Sequence, residues 1–277
     1  MIAVLLIVFR EVLEAGLIIS IVAAACAGIK IKIQVIFGII LGLLGAIALA
    51  KFTSIIESSL SGYGQEIFTA SILLIAAAML SWQNMWMSIK GRELAAKNKK
   101  HIQSIFLNDK GTYAISIVVA IAVLREGAEV VLFLYGIVLS SGLTKNALFI
   151  GGLIGTGLGV FVTYALYRGI VMIPLKFIFS SSNFILALIA AGLSSQAIGI
   201  LANIGFLPQL GSQLWNTSFL LSSNSWGGVL AHSVFGYTAR PMGIQVITWC
   251  IVLFVIFTVS RYLTYSHHQK EIKDVIN

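Results

Sequence analysis

Two copies of an R-E-x-x-E motif lie within apolar stretches of the sequence. They comprise Arg10, Glu11, Glu14, Arg125, Glu126 and Glu129. On a helix, the two glutamates of one motif share a face and are separated by about 4.5 Å along the axis. The arginine precedes the second glutamate by one helical turn and can pair with it. Because carboxylates are hard oxygen ligands, the motifs predict a site for a cation such as iron, manganese, magnesium or calcium.

The elements that carry these motifs must lie in a membrane. The 277-residue sequence is 58% hydrophobic and 10% charged, with a mean hydropathy of +0.99, whereas a typical soluble domain is about 25% charged. A transmembrane helix takes roughly 20 apolar residues, and long uninterrupted apolar runs are helical rather than strands of a barrel. The sequence therefore predicts an all-α polytopic membrane protein without a separate soluble catalytic domain.

Apolar runs separated by charged residues predict seven transmembrane helices. They cover residues 2–29, 33–50, 67–89, 112–139, 147–167, 183–204 and 243–262. Alternate connections hold 13 of the 18 lysines and arginines, and the opposite connections hold only Lys51, Lys145 and Arg240. By the positive-inside rule, the N-terminus is outside and the C-terminus is cytoplasmic. Orientation and contact with anionic lipid headgroups thus account for the net charge of +8 without nucleic acid as a partner.

The first six predicted spans form two copies of one unit. The charged motifs recur at an offset of 115 residues, and Gly38 and Gly42 recur as Gly151 and Gly155 at an offset of 113. At that second offset, I-L-L-I-A-A-A-M-L in span three resembles I-L-A-L-I-A-A-G-L in span six. Because each copy has three spans, the second crosses the membrane in the opposite sense, as in transporters with inverted repeats.

This repeat predicts three regions of the chain. They are a first three-helix repeat with a basic cytoplasmic loop at 1–110, an inverted three-helix repeat at 111–204, and an outer connection, seventh helix and cytoplasmic tail at 205–277.

The two charged motifs carry unequal numbers of negative and positive groups. Each charge near the bilayer centre costs about 3 kcal/mol on insertion scales. Four carboxylates and two guanidinium groups leave two negative charges, which require protons or a bound cation. This excess argues against a purely structural network, although interhelical ion pairs and a metal-free proton relay remain alternatives.

Three polar residues outside the motifs also bear on function. Glu57 and Glu66 lie in the predicted outer connection before span three, where they either collect cations at the entrance or form ordinary solvated surface. His232 lies in the last outer connection and either makes hydrogen bonds at the membrane interface or contacts a metal.

The paired motifs resemble the R-E-G-L-E signatures of the oxidase-dependent iron permeases, the high-affinity iron transporter family. The segment from Gly236 to Pro241 is similar to the G-Y-x-A-x-P element of that family, and with the seven spans the resemblance covers nearly the whole chain. Two residues depart from the signature, since Val12 replaces its glycine and Ala128 its leucine. Loss of the glycine would remove a point of close backbone approach in span one.

The resemblance implies iron uptake across the cytoplasmic membrane by a multi-pass permease that is not an enzyme. Carried over by position, the iron-contacting residues are Glu11, Glu14, Glu126 and Glu129, with Arg10 and Arg125 as their partners. Iron is then the transported substrate, no cofactor is tightly bound, and any ferroxidase or extracytoplasmic iron-binding partner is a separate polypeptide.

Two other functions are compatible with the residues alone. A proton-coupled transporter of another divalent cation or a small cationic solute would use the same carboxylates as proton sites. An intramembrane enzyme is disfavoured, because the spans contain no H-E-x-x-H, no G-x-S-x-G and no pair of aspartates.

Overall fold

The regular secondary structure of the residues described by the structure, a computed structural model, is entirely helical. Those residues are 1–25, 32–59, 61–90, 111–141, 143–168, 175–222 and 225–276. The helices are α1 (Ile2–Ala25), α2 (Lys32–Ser59), α3 (Tyr63–Lys90), α4 (Gly111–Ser141), α5 (Lys145–Tyr167), α6 (Leu175–Asn203), α7 (Trp226–Phe235) and α8 (Gly243–Ile276).

Each predicted span overlaps one helix, and several helices are longer than the apolar run they contain. Residues 26–29, the predicted end of the first span, lie outside the described residues. Helix α2 continues through Lys51 to Ser59, nine residues past the predicted end, and α8 continues far beyond residue 262. A charged residue ends an apolar run without ending a helix, because lysine is a good helix former. The prediction that the outer connection begins before Glu57 is therefore wrong, since Glu57 lies in the last turns of α2.

Within the described residues, five helices are long and apolar enough to cross a membrane by length and composition alone: α2, α3, α5, α6 and α8. Helices α1 and α4 are equally long, but each interrupts its apolar sequence with the three charged residues of one motif. The protein is accordingly a polytopic membrane protein. The basic cytoplasmic loop predicted before α4 falls at residues 91–110, outside the described residues.

The tightest helix pairs join the first half of the chain to the second. They are α1 with α5, α2 with α4, and α3 with α6. Glycines permit the close approach: a Cβ at Gly42 of α2 would lie 2.8 Å from the Ala120 carbonyl oxygen of α4, and one at Gly155 of α5 would lie 2.7 Å from the Leu5 carbonyl oxygen of α1. Small residues thus lie where these helices approach each other most closely.

The connection between α6 and α8 folds back on itself and contains α7, which the apolar pattern did not predict. Ser225 caps α7 by accepting a hydrogen bond from the Gly228 amide at 3.0 Å. Gly236 ends the helix in the left-handed region at φ 67°, where glycine is favoured. The segment that follows Gly236 is held by backbone hydrogen bonds, including Thr217 to Ala239 at 2.9 Å.

Candidate metal site

Helices α1 and α4 bring three carboxylates together in the interior. Glu11, Glu126 and Glu129 each offer an oxygen, and these oxygens all lie within 4.8 Å of one another. All three side chains are buried. Hard cations bind oxygens at about 2.0–2.6 Å, so ligands on opposite sides of one ion are about 4–5 Å apart. The three carboxylates are thus close enough to bind a single cation.

Glu14 is the one motif glutamate outside this group of three. Its Oε1 lies 2.8 Å from Arg10 Nε, one turn earlier on α1, and its side chain is half-buried. The structure therefore places Glu14 in an ion pair beside the carboxylate group.

The two motif arginines have different surroundings. Only 1% of the Arg10 side chain is exposed, whereas 71% of the Arg125 side chain is not covered by the described residues. Arg125 Nε lies 3.2 Å from Glu129 Oε1 and 4.0 Å from Glu126 Oε1. The two arginines occupy equivalent positions in the repeat, but Arg10 is buried and Arg125 is exposed.

A residue of α3 that the sequence analysis did not single out joins the site. Gln83 Nε2 donates to Glu11 Oε2 at 3.2 Å and lies 3.5 Å from Oε1, while Gln83 Oε1 accepts from Arg10 Nη1 at 3.2 Å. The repeat contained a signal for it, because Gln83 recurs as Gln196 at the same offset of 113 residues as the glycines. Glutamine in an apolar span is a polar group that needs partners.

One carboxylate oxygen of the group has no hydrogen bond from any described residue. Glu126 Oε2 is buried without a partner. An unsatisfied buried acceptor is costly unless a proton or a cation satisfies it. Glu126 Oε2 is therefore available to bind a proton or a cation.

The two residues predicted at the entrance are not equivalent. Glu57 is half-buried and accepts a hydrogen bond from the Tyr135 hydroxyl of α4. Glu66 lies in the first turn of α3 and is exposed. Neither belongs to the group of three carboxylates.

Both ring nitrogens of His232 lie within hydrogen-bond distance of backbone carbonyl oxygens, and the nitrogen that carries the proton donates to one of them. Nδ1 lies 2.6 Å from the Tyr237 oxygen and Nε2 lies 2.9 Å from the Ser140 oxygen at the end of α4. These contacts correspond to the hydrogen-bonding alternative for His232 rather than to metal contact.

The motif departure at Val12 is matched by a glycine on the neighbouring helix. A Cβ at Gly159 of α5 would lie 2.8 Å from Val12 Cγ1. In the second motif the sizes are reversed, because Gly127 of α4 faces Ala46 of α2. Close approach is therefore retained in the first half, with the glycine supplied by α5 instead of α1.

A known protein family matches almost the whole sequence. Residues 1–268 match the description "Iron permease FTR1 family". The chain belongs to this family. The resemblance inferred from the paired motifs is thereby confirmed, and with it the assignment of the protein to iron transport in a membrane.

Curated relatives agree with the family. The chain is 28% identical over 255 residues to the "Ferrous iron permease EfeU" of Escherichia coli O6:H1, covering 90% of this chain and 91% of that protein. The protein of the same name from Shigella flexneri is 28% identical over 192 residues, covering 68% of this chain and 80% of its own. No solved structure matches. The family is one of permeases, and the protein is accordingly a transporter.

Proposed function

We propose that the protein carries iron across the cytoplasmic membrane into the cell through a carboxylate site formed by α1 and α4. The observation that supports this proposal is the buried group of Glu11, Glu126 and Glu129, whose oxygens lie within 4.8 Å of one another. Buried carboxylates at this separation repel one another unless a cation or protons neutralise them. Glu14 serves the site through its ion pair with Arg10.

The charge of the site favours a divalent ion. Arg10 is nearest to Glu14 at 2.8 Å, and Arg125 is nearest to Glu129 at 3.2 Å. Glu11 and Glu126 then supply the two negative charges that remain, which balance one Fe2+. The relatives named ferrous iron permeases agree with this oxidation state. We assign any oxidation of iron to a separate ferroxidase or extracytoplasmic iron-binding protein.

The proposed transport path follows the predicted inverted repeat. With the N-terminus outside, α1 and α4 cross in opposite senses and contribute their motifs near the middle of the membrane, where such repeats form their substrate sites. Glu57 and Glu66 lie at the outer ends of α2 and α3 in this orientation. Iron would pass these carboxylates before it reaches the central group.

The test is uptake of radioactive iron into proteoliposomes that contain only the purified chain. We expect uptake of Fe2+ under anaerobic conditions and its loss, by at least tenfold, in Glu11→Gln, Glu126→Gln and Glu129→Gln, since each removes a charged ligand. Two further variants test carboxylates outside the central group. Glu14→Gln removes the ion pair with Arg10, and Glu66→Gln changes an exposed residue. Glu66→Gln removes one exposed entrance carboxylate and should reduce uptake far less than the central variants do.

The outcomes distinguish the proposal from the proton-coupled alternative. Undiminished Fe2+ uptake by all three central variants would remove the carboxylate site from the mechanism. Excess unlabelled Mn2+ or another divalent ion could abolish the uptake of radioactive Fe2+. If that ion, measured separately, were also transported faster than Fe2+, the protein would be a carrier of that ion. Uptake of Fe2+ but not of Fe3+ would leave oxidation or reduction to a partner.

A further inference from the structure

We infer that Gln83 of α3 is a positioning residue of the iron site, which orients Glu11 and holds Arg10 away from it. This inference rests on the proposed function of the carboxylate group. It goes beyond that function because it assigns a role to a third helix and to a neutral side chain.

The hydrogen bonds of Gln83 determine the orientation of its amide. Its NH2 group faces both oxygens of Glu11, at 3.2 and 3.5 Å, and its carbonyl faces Arg10 Nη1 at 3.2 Å. The side chain is 8% exposed, so water does not compete for these groups. A side-chain amide offers both a donor and an acceptor without a charge, and here each end meets the group it suits.

This arrangement keeps the charge of Glu11 available for a cation. Arg10 is adjacent to Glu11 in sequence, and a buried guanidinium released from its present partners would be drawn to the nearest carboxylate. Glu14 and Gln83 instead engage Arg10 Nε and Nη1, while Nη2 has no hydrogen-bond partner among the described residues. Glu11 therefore accepts a neutral hydrogen bond, which is weaker than an ion pair. Iron can then bind Glu11 without displacing a guanidinium.

The position of α3 is fixed next to this amide. Asn84, the following residue, is buried and donates to the Asn183 backbone oxygen of α6. Helices α3 and α6 also form one of the three tightest pairs. Gln83 thus extends from a braced helix, as partners that orient metal ligands generally must.

The chain contains a matched control for Gln83. Gln196 occupies the equivalent repeat position in α6 and is 9% exposed, but its Oε1 has no hydrogen-bond partner among the described residues. Replacement of either glutamine with leucine removes a buried amide of the same size. Only the replacement of Gln83 removes contacts to Arg10 and Glu11.

The experiment measures the KM and the maximal rate of Fe2+ uptake in proteoliposomes, together with Fe2+ binding to the detergent-purified chain. We expect Gln83→Leu to weaken binding and raise KM by about 10–100-fold, the usual effect of losing a group that orients a metal ligand. Gln196→Leu should change KM by less than threefold. The double variant Arg10→Met with Gln83→Leu should bind Fe2+ more tightly than Gln83→Leu alone, because the freed guanidinium is gone.

Several results would overturn this inference. One is a KM for Gln83→Leu close to that of the wild type, and another is an equal loss in both leucine variants. If the double variant does not recover affinity for Fe2+, Gln83 does not keep Arg10 away from Glu11. If Gln83→Leu is aggregated on gel filtration, Gln83→Asn carries the same test, because its shorter amide cannot reach both partners. Absence of Fe2+ uptake by the wild type would instead overturn the proposed function itself.

Discussion

His232 connects the outer connection to the end of α4. Its ring lies between the carbonyl oxygens of Tyr237 and Ser140, at 2.6 and 2.9 Å. Ser140 is in the last turn of α4, and Tyr237 belongs to the G-Y-x-A-x-P element. The histidine therefore ties that element to the helix that carries the second motif.

Replacement of His232 with phenylalanine should reduce stability without changing the affinity for iron. A partly buried carbonyl oxygen would lose its hydrogen-bond donor, which costs about 1–3 kcal/mol. The expected result is a lower Tm of the purified protein and an unchanged KM for Fe2+ uptake. A large increase in KM with an unchanged Tm would assign His232 to the metal path instead.

The residues of the site differ in how far sequence alone could predict them. The spacing of each R-E-x-x-E motif is local, so it predicts that its charged groups share a helix face. It also predicts the ion pair between Arg10 and Glu14 one turn apart. It does not determine that Glu11 rather than Glu14 joins Glu126, because that depends on how α1 and α4 are rotated. Gln83 is 72 residues from Glu11 in sequence, and only tertiary packing brings the two together.

Among the helices, α5 shows how small residues determine packing. Some glycines of α5 face a neighbouring helix and others do not. A Cβ at Gly155 would lie 2.7 Å from the Leu5 carbonyl oxygen, whereas a Cβ at Gly157 would meet nothing within 4 Å. Gly155 therefore lies in the contact with α1, and Gly157 lies on an open face of the same helix.

Alanine variants of these two glycines should differ in stability. Gly155→Ala forces α1 and α5 apart, which typically costs about 1–3 kcal/mol, and it should lower the Tm and the yield of monodisperse protein. Gly157→Ala introduces a better helix former in open space and should leave both unchanged or slightly improved. Equal losses in the two variants would contradict the packing described for α5.

Prediction of the helices succeeded where hydropathy and helix coincide and failed where they diverge. Apolar runs located the cores of the long helices, because a membrane span needs both an apolar surface and internal hydrogen bonds. They did not show that α2 extends to Ser59, since Lys51 lies exposed within a continuing helix. Helix α7 was missed because ten residues are too few to stand out as a span.

At the scale of the whole molecule, helices α1–α3 pack mainly against helices α4–α6. Each of the tightest helix pairs takes one member from α1–α3 and one from α4–α6. The inverted orientation of these halves was predicted from the repeat and from the distribution of basic residues, and it remains a prediction.

Cysteine labelling of intact cells tests this orientation. In a variant in which Cys26 and Cys250 are replaced by serine, Ser61→Cys and Ser212→Cys should react with a membrane-impermeant maleimide added outside. Lys270→Cys should react only after the membrane is permeabilised, because the C-terminus is predicted to be cytoplasmic. Labelling of Lys270→Cys in intact cells would require the opposite orientation or a different number of spans.

The pairing of α1 with α5 has a consequence for biosynthesis. Helix α1 ends at Ala25 and its main partner begins at Lys145, so about 120 residues are made between them. At about 5–20 residues per second, the first helix waits roughly ten seconds in the membrane before α5 exists. During that interval its charged motif has neither α5 nor the carboxylates of α4 beside it. Helix α1 thus meets its main partner long after its own synthesis, and its charged motif is completed only when the second half of the chain enters the membrane.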